Sequence, residues 1–156
     1  MRGKQAPKRI TENDPVYKSK LITRLINKIM QDGKKSLAEN IVYKALDNVA
    51  KAKGVENPLT VLEGAFANIS PKQEVRSRRV GGANYQIPVS VRFDRAQTLS
   101  IRWLLATARG KKGKPMHQAL SEAIIEAAEN RGDAVKKKED THRMADANKA
   151  FAHFRW

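Results

Sequence analysis

This chain of 156 residues carries 31 Lys and Arg against 16 Asp and Glu, so its formal net charge is +15. A polyanion is expected to offset such an excess, and nucleic acid, an anionic membrane surface and acidic proteins all qualify on charge alone. The lack of cysteine excludes disulfides and cysteine-ligated zinc, and no run of residues reaches the roughly 18 apolar positions of a membrane helix.

The first thirteen residues are predicted to form a flexible basic arm. They show no apolar periodicity, so they lack the side chains that would offset the entropy of ordering the chain. Its cations are Arg2, Lys4, Lys8 and Arg9. The arm is expected to order on its partner, and residues 14–156 to form a single domain. No apolar leader is recognisable in it, which suits a cytoplasmic protein.

The first helix is predicted to begin at Asp14, as its N-cap, with Pro15 in the first turn, and to end near Gly33. Apolar residues repeat at helical spacing between these limits. The stripe consists of Leu21, Ile22, Leu25, Ile26, Ile29 and Met30.

Two further helices follow in the sequence. Ser36 with Glu39 matches a capping box for the second, which should end at Gly54, and Asn57-Pro58 opens a third that Pro71 terminates. The residues predicted to face the core are Leu37, Ile41, Val42, Ala45, Leu46 and Val49 in the second helix, and Leu59, Leu62, Ala65, Phe66 and Ile69 in the third.

A basic hairpin is predicted at residues 73–92. Arg76, Arg78 and Arg79 lead into Gly81-Gly82, which supplies the positive φ of a tight reversal. An apolar alternation follows, so one face can pack while the rest meets phosphate. A proline in the second strand indicates a two-stranded ribbon and not the middle of a larger sheet. The alternating residues are Tyr85, Ile87, Val89 and Val91.

Three helices are predicted after the hairpin. Residues 96–109 form a nearly continuous apolar run that indicates a central buried helix, and Pro115 begins a fifth helix that ends before Gly132. A charged sixth helix should run from Ala134 to about Phe154 at the periphery. Its anchors are predicted to be Val135, Met144, Ala147, Phe151 and Phe154. The expected fold is mainly α, a single domain of about six helices with one protruding β-hairpin.

Signatures of an enzyme are lacking in the sequence. Gly33-Lys34-Lys35-Ser36 matches the end of a P-loop, but position 28 is Lys where the motif requires Gly. His117, His142 and His153 lack the spacing and companion ligands of a metal site. We therefore expect no catalytic residue, no cofactor and no metal.

The basic residues gather in five clusters: the arm, Lys34-Lys35, the hairpin, Arg109–Lys114 and Lys136–Lys138. Any one of them is equally well interpreted as a solvated face, but five together favour contacts to RNA phosphates. Among the aromatic residues, Trp103 and Phe66 are expected in the core. Tyr85 could stack on a base, but packing on its own strand is favoured.

Three long segments resemble one protein family. They are Val75–Val89, Ile29–Lys35 and Ala134–Trp156, and with them essentially the whole chain resembles the bacterial form of the small-subunit ribosomal protein seven family. The resemblance implies a helical domain with an extended hairpin that binds the 3′ major domain of 16S rRNA. Such a protein nucleates assembly of the head of the small subunit and lies near the exit-site tRNA and the mRNA exit path.

The resemblance also implies partners and site residues. Its protein partners would be ribosomal proteins nine and eleven of the small subunit. Contact to rRNA falls on Arg2, Lys4, Lys8, Arg9, Lys34, Lys35, Arg76, Arg78, Arg79, Arg95, Lys136, Lys137 and Lys138. The hairpin tip and last helix would face tRNA and mRNA through Gly81, Gly82, Asn84, Tyr85, His142 and Arg143. Arg92-Phe93-Asp94-Arg95 carries an acid and an aromatic residue where relatives tend to be more basic or to have proline, so a phosphate contact at Asp94 is in doubt.

Two other classes of function remain open at this point. A DNA-compacting architectural protein would share the charge, but the sequence shows no base-reading helix, and such a protein should bind duplex DNA as well as rRNA. An RNA-modifying enzyme would need a cofactor loop or catalytic residues, which are missing.

Overall fold

The computed structural model describes Gly3 and residues 11–154, without the side chains of Val80 and Phe154. This part of the chain forms six α-helices, a two-stranded hairpin and a C-terminal 3-10 helix. The helices are α1 (Lys20–Ile29), α2 (Lys35–Lys53), α3 (Pro58–Ile69), α4 (Phe93–Gly110), α5 (Met116–Ala128) and α6 (Asp133–Ala147). The strands are β1 (Gln73–Val80) and β2 (Ala83–Ser90), and the 3-10 helix spans Lys149–Phe154. The predicted fold class is confirmed.

One core joins the helices. The α4 helix contacts α1, α3, α5 and α6, and α5 contacts α2, α3, α4 and α6. Each helix contributes an apolar stripe, and burial of one such aliphatic side chain stabilises the fold by roughly 1.5–3 kcal/mol. Fully buried members of this core include Ile22, Leu46, Leu62, Leu104 and Ile124. Phe66 is buried as predicted, whereas Trp103 lies half-buried at the edge of the core.

The predicted start of the first helix is wrong. Asp14 caps a separate turn, in which its carboxylate accepts hydrogen bonds from the N–H groups of Val16 (3.1 Å) and Tyr17 (2.9 Å). Lys18 then takes a left-handed φ of 50°, which an α-helix cannot accommodate. The helix begins at Lys20 instead, and the side chain of Ser19 accepts from the N–H of Leu21.

Asp14 also ties this turn to α2. Its side chain is buried and accepts a hydrogen bond of 2.8 Å from the hydroxyl of Tyr43. Burial and this hydrogen bond raise the pKa of Tyr43 to about 12. The turn that contains Asp14 is therefore anchored to α2.

The capping box predicted for the second helix is also wrong. The N-cap is Lys34, without a side-chain cap, and Ser36 lies inside the first turn. Glu39 pairs with Lys35 at 3.6 Å, and Leu37, predicted to face the core, is 56% exposed. The helix ends as predicted at Gly54, whose φ of 63° is left-handed.

Of the other predicted helix boundaries, some are confirmed and some are wrong. The third helix begins with Pro58 after an Asn57 N-cap, as predicted. The fourth begins three residues early, at Phe93. The sixth ends at Ala147, and the chain tightens into the 3-10 helix. Of its predicted anchors, Met144 and Ala147 are exposed, because Ala145 occupies the buried position next to them.

The hairpin pairs β1 with β2 in an antiparallel register that runs from Gln73 opposite Ser90 to Val80 opposite Ala83. Gly81 and Gly82 have φ values of 57° and 90°, the geometry of a two-residue turn with positive φ at both positions. Within the described residues the sheet has two strands, in agreement with the prediction from the proline.

The register corrects one expectation about the faces of the hairpin. Directly opposite residues point to the same side of an antiparallel pair. Arg76 lies opposite Ile87 and Arg78 opposite Tyr85, so two arginines share the face of the apolar stripe. Packing and basic residues are therefore not separated on two faces, and Arg79 is the arginine on the other side, opposite Asn84.

Candidate nucleic-acid interface

A buried acid, Glu74, holds two of the predicted RNA-binding arginines at the base of the hairpin. Its carboxylate accepts hydrogen bonds from Arg76 Nε (2.9 Å) and Nη2 (2.6 Å) through Oε1, and from Arg95 Nε (3.2 Å) through Oε2. The glutamate side chain is 10% exposed, while those of Arg76 and Arg95 are 58% and 45% exposed. Both guanidinium groups are thus oriented by the protein and still reach solvent.

The protonation of Glu74 follows from this arrangement. Burial raises the pKa of its carboxyl, but the hydrogen bonds from Arg76 and Arg95 outweigh burial and leave the pKa below its usual value. The carboxylate therefore stays charged near neutral pH. Sequence reasoning missed this residue, although its spacing of two from Arg76 placed both on one face of a strand.

The hairpin tip exposes the remaining arginines and the turn. Arg78, Arg79, Gly81, Gly82 and Asn84 are all exposed. Tyr85 is half-buried, and its ring packs against that of Phe151 with centroids 5.1 Å apart and a tilt of 53°. Packing of Tyr85 was predicted, and Phe151 of the C-terminal segment is a partner that the sequence did not indicate.

A row of arginines on α4 was only partly recognised from the sequence. Arg95, Arg102 and Arg109 are spaced by seven residues and are all exposed. Seven residues are close to two helical turns, so the three lie on one stripe about 21 Å long. Arg109 stood in a predicted basic cluster and Arg95 was assigned through the resemblance, and the sevenfold spacing was the signal that could have added Arg102.

The start of α4 is also fixed to α1. Asp94 Oδ1 lies 3.4 Å from Arg24 Nη2, and Gln97 Oε1 accepts a hydrogen bond from the same guanidinium. The sequence put a phosphate contact at Asp94 in doubt, and the structure shows this carboxylate paired with Arg24 of the protein instead. Its negative charge also suits the first turn of a helix.

Two of the four cations in the predicted basic cluster Arg109–Lys114 are paired with acids of the protein. Lys111 Nζ lies 2.6 Å from Glu126 Oε1 and 3.3 Å from Glu122 Oε2, and Lys114 Nζ lies 2.6 Å from Glu122 Oε1. Burial lowers the pKa of Lys111, but its hydrogen bonds to the two glutamates outweigh burial and raise it. These lysines fasten a loop to α5, so this cluster contributes less to a surface for RNA than its sequence suggested.

The lysine cluster of α6 is more open. Lys136 and Lys137 are exposed and Lys138 is half-buried. The first two line a groove of about 340 Å³ between α4 and α6, together with Thr107, Lys111 and two aspartates. At the start of α2, Lys34 and Lys35 are exposed as well.

The other residues assigned to tRNA and mRNA have partners within the domain. His142 Nε2 accepts a hydrogen bond of 3.0 Å from the backbone N–H of Lys72, so this imidazole fastens the start of the hairpin to α6. Arg143 is exposed and lies 3.5 Å from Asp140. Arg2, Lys4, Lys8 and Arg9 lie outside the described residues.

Neither a metal site nor a membrane span is found in the part of the chain that the structure describes. No group of three or more His, Cys, Asp or Glu residues could hold a metal ion there. None of the helices in this part combines the length and the apolar character needed to cross a bilayer.

Comparison with known proteins identifies the family. The family model described as ribosomal protein S7p/S5e matches residues 1–149. The chain belongs to this family. A small ribosomal subunit protein uS7 of Pelotomaculum thermopropionicum is 60% identical over 150 residues, 96% of each chain. Those of Nautilia profundicola and Azorhizobium caulinodans are 53% and 54% identical over 100% and 99% of each chain.

Family membership confirms the resemblance found in the sequence. The chain is a ribosomal protein of the small subunit, and its place is the ribosome in the cytoplasm. It is not an enzyme, because its relatives are structural ribosomal proteins. The basic surface of the hairpin, α4 and α6 can therefore be considered as a surface for RNA.

Proposed function

We propose that this protein is a primary binder of 16S rRNA, through the 3′ major domain, and that it nucleates assembly of the head of the small subunit. The observation that supports the proposal most strongly is the exposed arginine stripe of α4. It begins at Arg95, which shares the carboxylate of Glu74 with Arg76. The α4 helix fixes the backbone of its three arginines, and Glu74 orients the guanidinium groups of Arg76 and Arg95. Less side-chain entropy is therefore lost when they meet phosphates.

The proposed rRNA surface combines the cations of the arm with basic residues of α2, the hairpin, α4 and α6. Phosphate contacts fix orientation on RNA, while the shape of the folded RNA is recognised as a whole. The surface comprises the arm residues Arg2, Lys4, Lys8 and Arg9, then Lys34, Lys35, Arg76, Arg78, Arg79, Arg95, Arg102, Arg109, Lys136, Lys137 and Lys138.

A second part of the proposal concerns the hairpin tip and α6. We propose that Gly81, Gly82, Asn84 and Arg143 face the exit-site tRNA and the mRNA, with Tyr85 and His142 supporting them from within. The support is that the turn and Arg143 are exposed, that Tyr85 packs on the 3-10 helix, and that His142 of α6 bonds to the backbone just before the hairpin. Ribosomal proteins nine and eleven are the proposed protein neighbours.

The test compares two double variants with equal loss of charge. Arg102→Gln with Arg109→Gln removes two cations seven residues apart on α4, and Lys44→Gln with Lys51→Gln removes two at the same spacing on the exposed face of α2. Filter binding to a 3′ major domain fragment of 16S rRNA is measured over a range of salt concentrations.

The α4 variant should bind more weakly, and its slope of log affinity against log salt should become shallower by roughly 0.7–0.9 for each phosphate that is no longer neutralised. The α2 variant should behave like the wild type apart from a small non-specific weakening. Equal weakening by both variants, or equal affinity of the wild type for duplex DNA, would contradict a specific rRNA surface and favour the DNA-compacting alternative.

A further inference from the structure

The start of α4 displays an aromatic side chain that the proposed phosphate contacts do not use. Phe93 is 79% exposed, more than any other large apolar side chain in the described part of the chain. The others that stand out are aliphatic or Met, and they lie on different elements: Val16 before α1, Leu37 on α2 and Met144 on α6. Phe93 is thus an isolated aromatic ring and not part of an apolar patch.

The backbone under Phe93 is held on both sides. The next residue, Asp94, pairs with Arg24 of α1, and Arg95 bonds to Glu74 of β1. The amide N–H of Val91 donates to the carbonyl of Lys72 at 3.0 Å, which fastens the preceding chain to the hairpin. With its neighbours anchored to two other elements, the ring is presented to solvent on a rigid base, so binding to it costs little ordering entropy.

The surroundings of the ring are strongly cationic. Arg92, the N-cap of α4, and Arg95 lie on either side of Phe93 in the chain. Arg76 lies close to Arg95, because both bond to the carboxylate of Glu74. The nearest acid in sequence, Asp94, is engaged by Arg24. A lone ring among arginines suits a protein interface as well, because aromatic residues and Arg are enriched there, but the net charge of +15 favours a polyanion as the partner. Such a ring fits nucleic acid well, because bases stack on aromatic faces while arginines contact the phosphates.

We propose that Phe93 is a stacking platform for one unpaired base of the rRNA. Only an unpaired base can offer its face, since the bases of a duplex already stack on one another. This inference rests on the proposed rRNA binding and adds a contact that depends on the π face of a base and not on charge. Any of the four bases can fill it, because each has such a face.

The test uses the full-length protein and the same 3′ major domain fragment. Phe93→Leu keeps apolar bulk without a ring, and Phe93→Trp keeps a ring. The leucine variant should lose about 5- to 150-fold in affinity with an unchanged salt slope, because stacking releases no counterions. The tryptophan variant should bind like the wild type, and its additional fluorescence, relative to the signal from Trp103 and Trp156, should be quenched on binding.

Wild-type affinity of Phe93→Leu, or an unquenched Phe93→Trp, would overturn the platform while leaving rRNA binding intact. Unchanged RNA binding combined with poor incorporation of Phe93→Leu into subunits would overturn it too, and would point to a protein contact at this ring. Failure of rRNA binding itself is recognised separately, because then the wild type and the α4 arginine variant would bind the fragment equally weakly. Thermal unfolding of each variant checks that the fold is retained.

Discussion

The carboxylate of Glu74 lies between two arginines that come from different parts of the fold, one from β1 and one from α4. Guanidinium groups carry long side chains that lose rotamer freedom when they bind. A buried acceptor restricts that freedom in advance. An acidic residue can thereby improve a surface whose partner is itself anionic, provided that both arginines keep exposed edges, as they do here.

A substitution of this acid separates orientation from charge. Glu74→Gln raises the formal net charge from +15 to +16, since one negative charge is removed. On charge alone the variant should bind rRNA more tightly. We expect it to bind more weakly, because the amide keeps one acceptor oxygen and replaces the other by a donor, so it cannot hold both Arg76 and Arg95. Filter binding at one salt concentration decides between the two, and tighter binding would show that orientation is unimportant.

The same residue contributes a pH-dependent part of stability. The pKa of Glu74 is lower in the folded protein than in the unfolded chain, where it is about 4.3. Its contribution is therefore fully present above about pH 4.3 and is lost as the pH falls through the folded pKa. We expect the free energy of unfolding of the wild type to exceed that of Glu74→Gln by roughly 1–2 kcal/mol at pH 7. The difference is modest because both arginines are more than a third exposed. Urea unfolding at several pH values should show the difference shrinking below about pH 4; a constant difference would contradict the assignment.

At the scale of elements, two helix starts differ from their sequence signals. The Ser36-Glu39 pattern matches a capping box, yet the helix begins before Ser36, whereas Ser19 caps α1 without a recognised motif. Caps depend on the φ and ψ of the residue that precedes the helix. A sequence pattern alone does not report those angles, so the packing of α1 and α2 decided both starts.

Matched alanine variants test this assignment. Ser19→Ala should lower the free energy of unfolding by about 0.5–1 kcal/mol, because the N–H of Leu21 loses its acceptor. Ser36→Ala should change it little, since alanine is at least as good a helix former inside the first turn. Denaturant unfolding of both variants under one condition is sufficient. A larger loss from Ser36→Ala would restore the capping box.

The hairpin can be shortened without disturbing its packed base. Tyr85 packs on Phe151, so the deletion should stop short of it. Removing residues 79, 80, 83 and 84 keeps the Gly81-Gly82 turn and makes Arg78 opposite Tyr85 the pair next to it, with the alternation of faces unchanged.

This deletion should leave the melting temperature close to that of the wild type, because the core residues are retained. It should weaken rRNA binding only slightly, because Arg79 is the one cation of the proposed surface that is lost. Ribosomes that carry it should assemble and show altered retention of exit-site tRNA. Tyr85→Ala serves as the contrasting variant, since it removes the packing at the base and keeps the tip. If the shortened protein folded but failed to enter subunits, the tip would be an assembly element.

At the scale of the whole molecule, the cations behind the net charge of +15 fall into two groups, those in internal ion pairs and those exposed on the surface. Ion pairs within the described residues engage Lys111, Lys114 and Lys53 with acids of α5 and of the residue after it. The hairpin, the exposed stripe of α4 and the lysines of α6 carry exposed cations. The charged residues thus serve two purposes, the stability of the domain and attraction of a polyanion.

The arm should contribute to binding and not to folding. The core consists of residues from Ile22 onward, and the first anchored turn is held by Asp14. Deletion of residues 1–10 should therefore leave the melting temperature within a few degrees of the wild type and weaken rRNA affinity, with a shallower salt slope. A large fall in the melting temperature would show that the arm is part of the fold.

The sequence by itself determined the class of fold, the number of helices, the hairpin and the family. These features depend on local periodicity, on glycine and proline at turns, and on long motifs, all of which are written along the chain. The third helix shows this most clearly, since Asn57, Pro58 and the apolar stripe agreed with one another.

Only the tertiary structure decided which charged groups face solvent and which serve the protein itself. Glu74 meets Arg95 across 21 positions, and Lys111 meets Glu126 across 15, separations that no local pattern encodes. The pairing of Tyr85 with Phe151 and the exposure of Phe93 depend in the same way on how elements pack. Charge in a sequence predicts that a polyanion binds, but the distances between distant residues determine where it can bind.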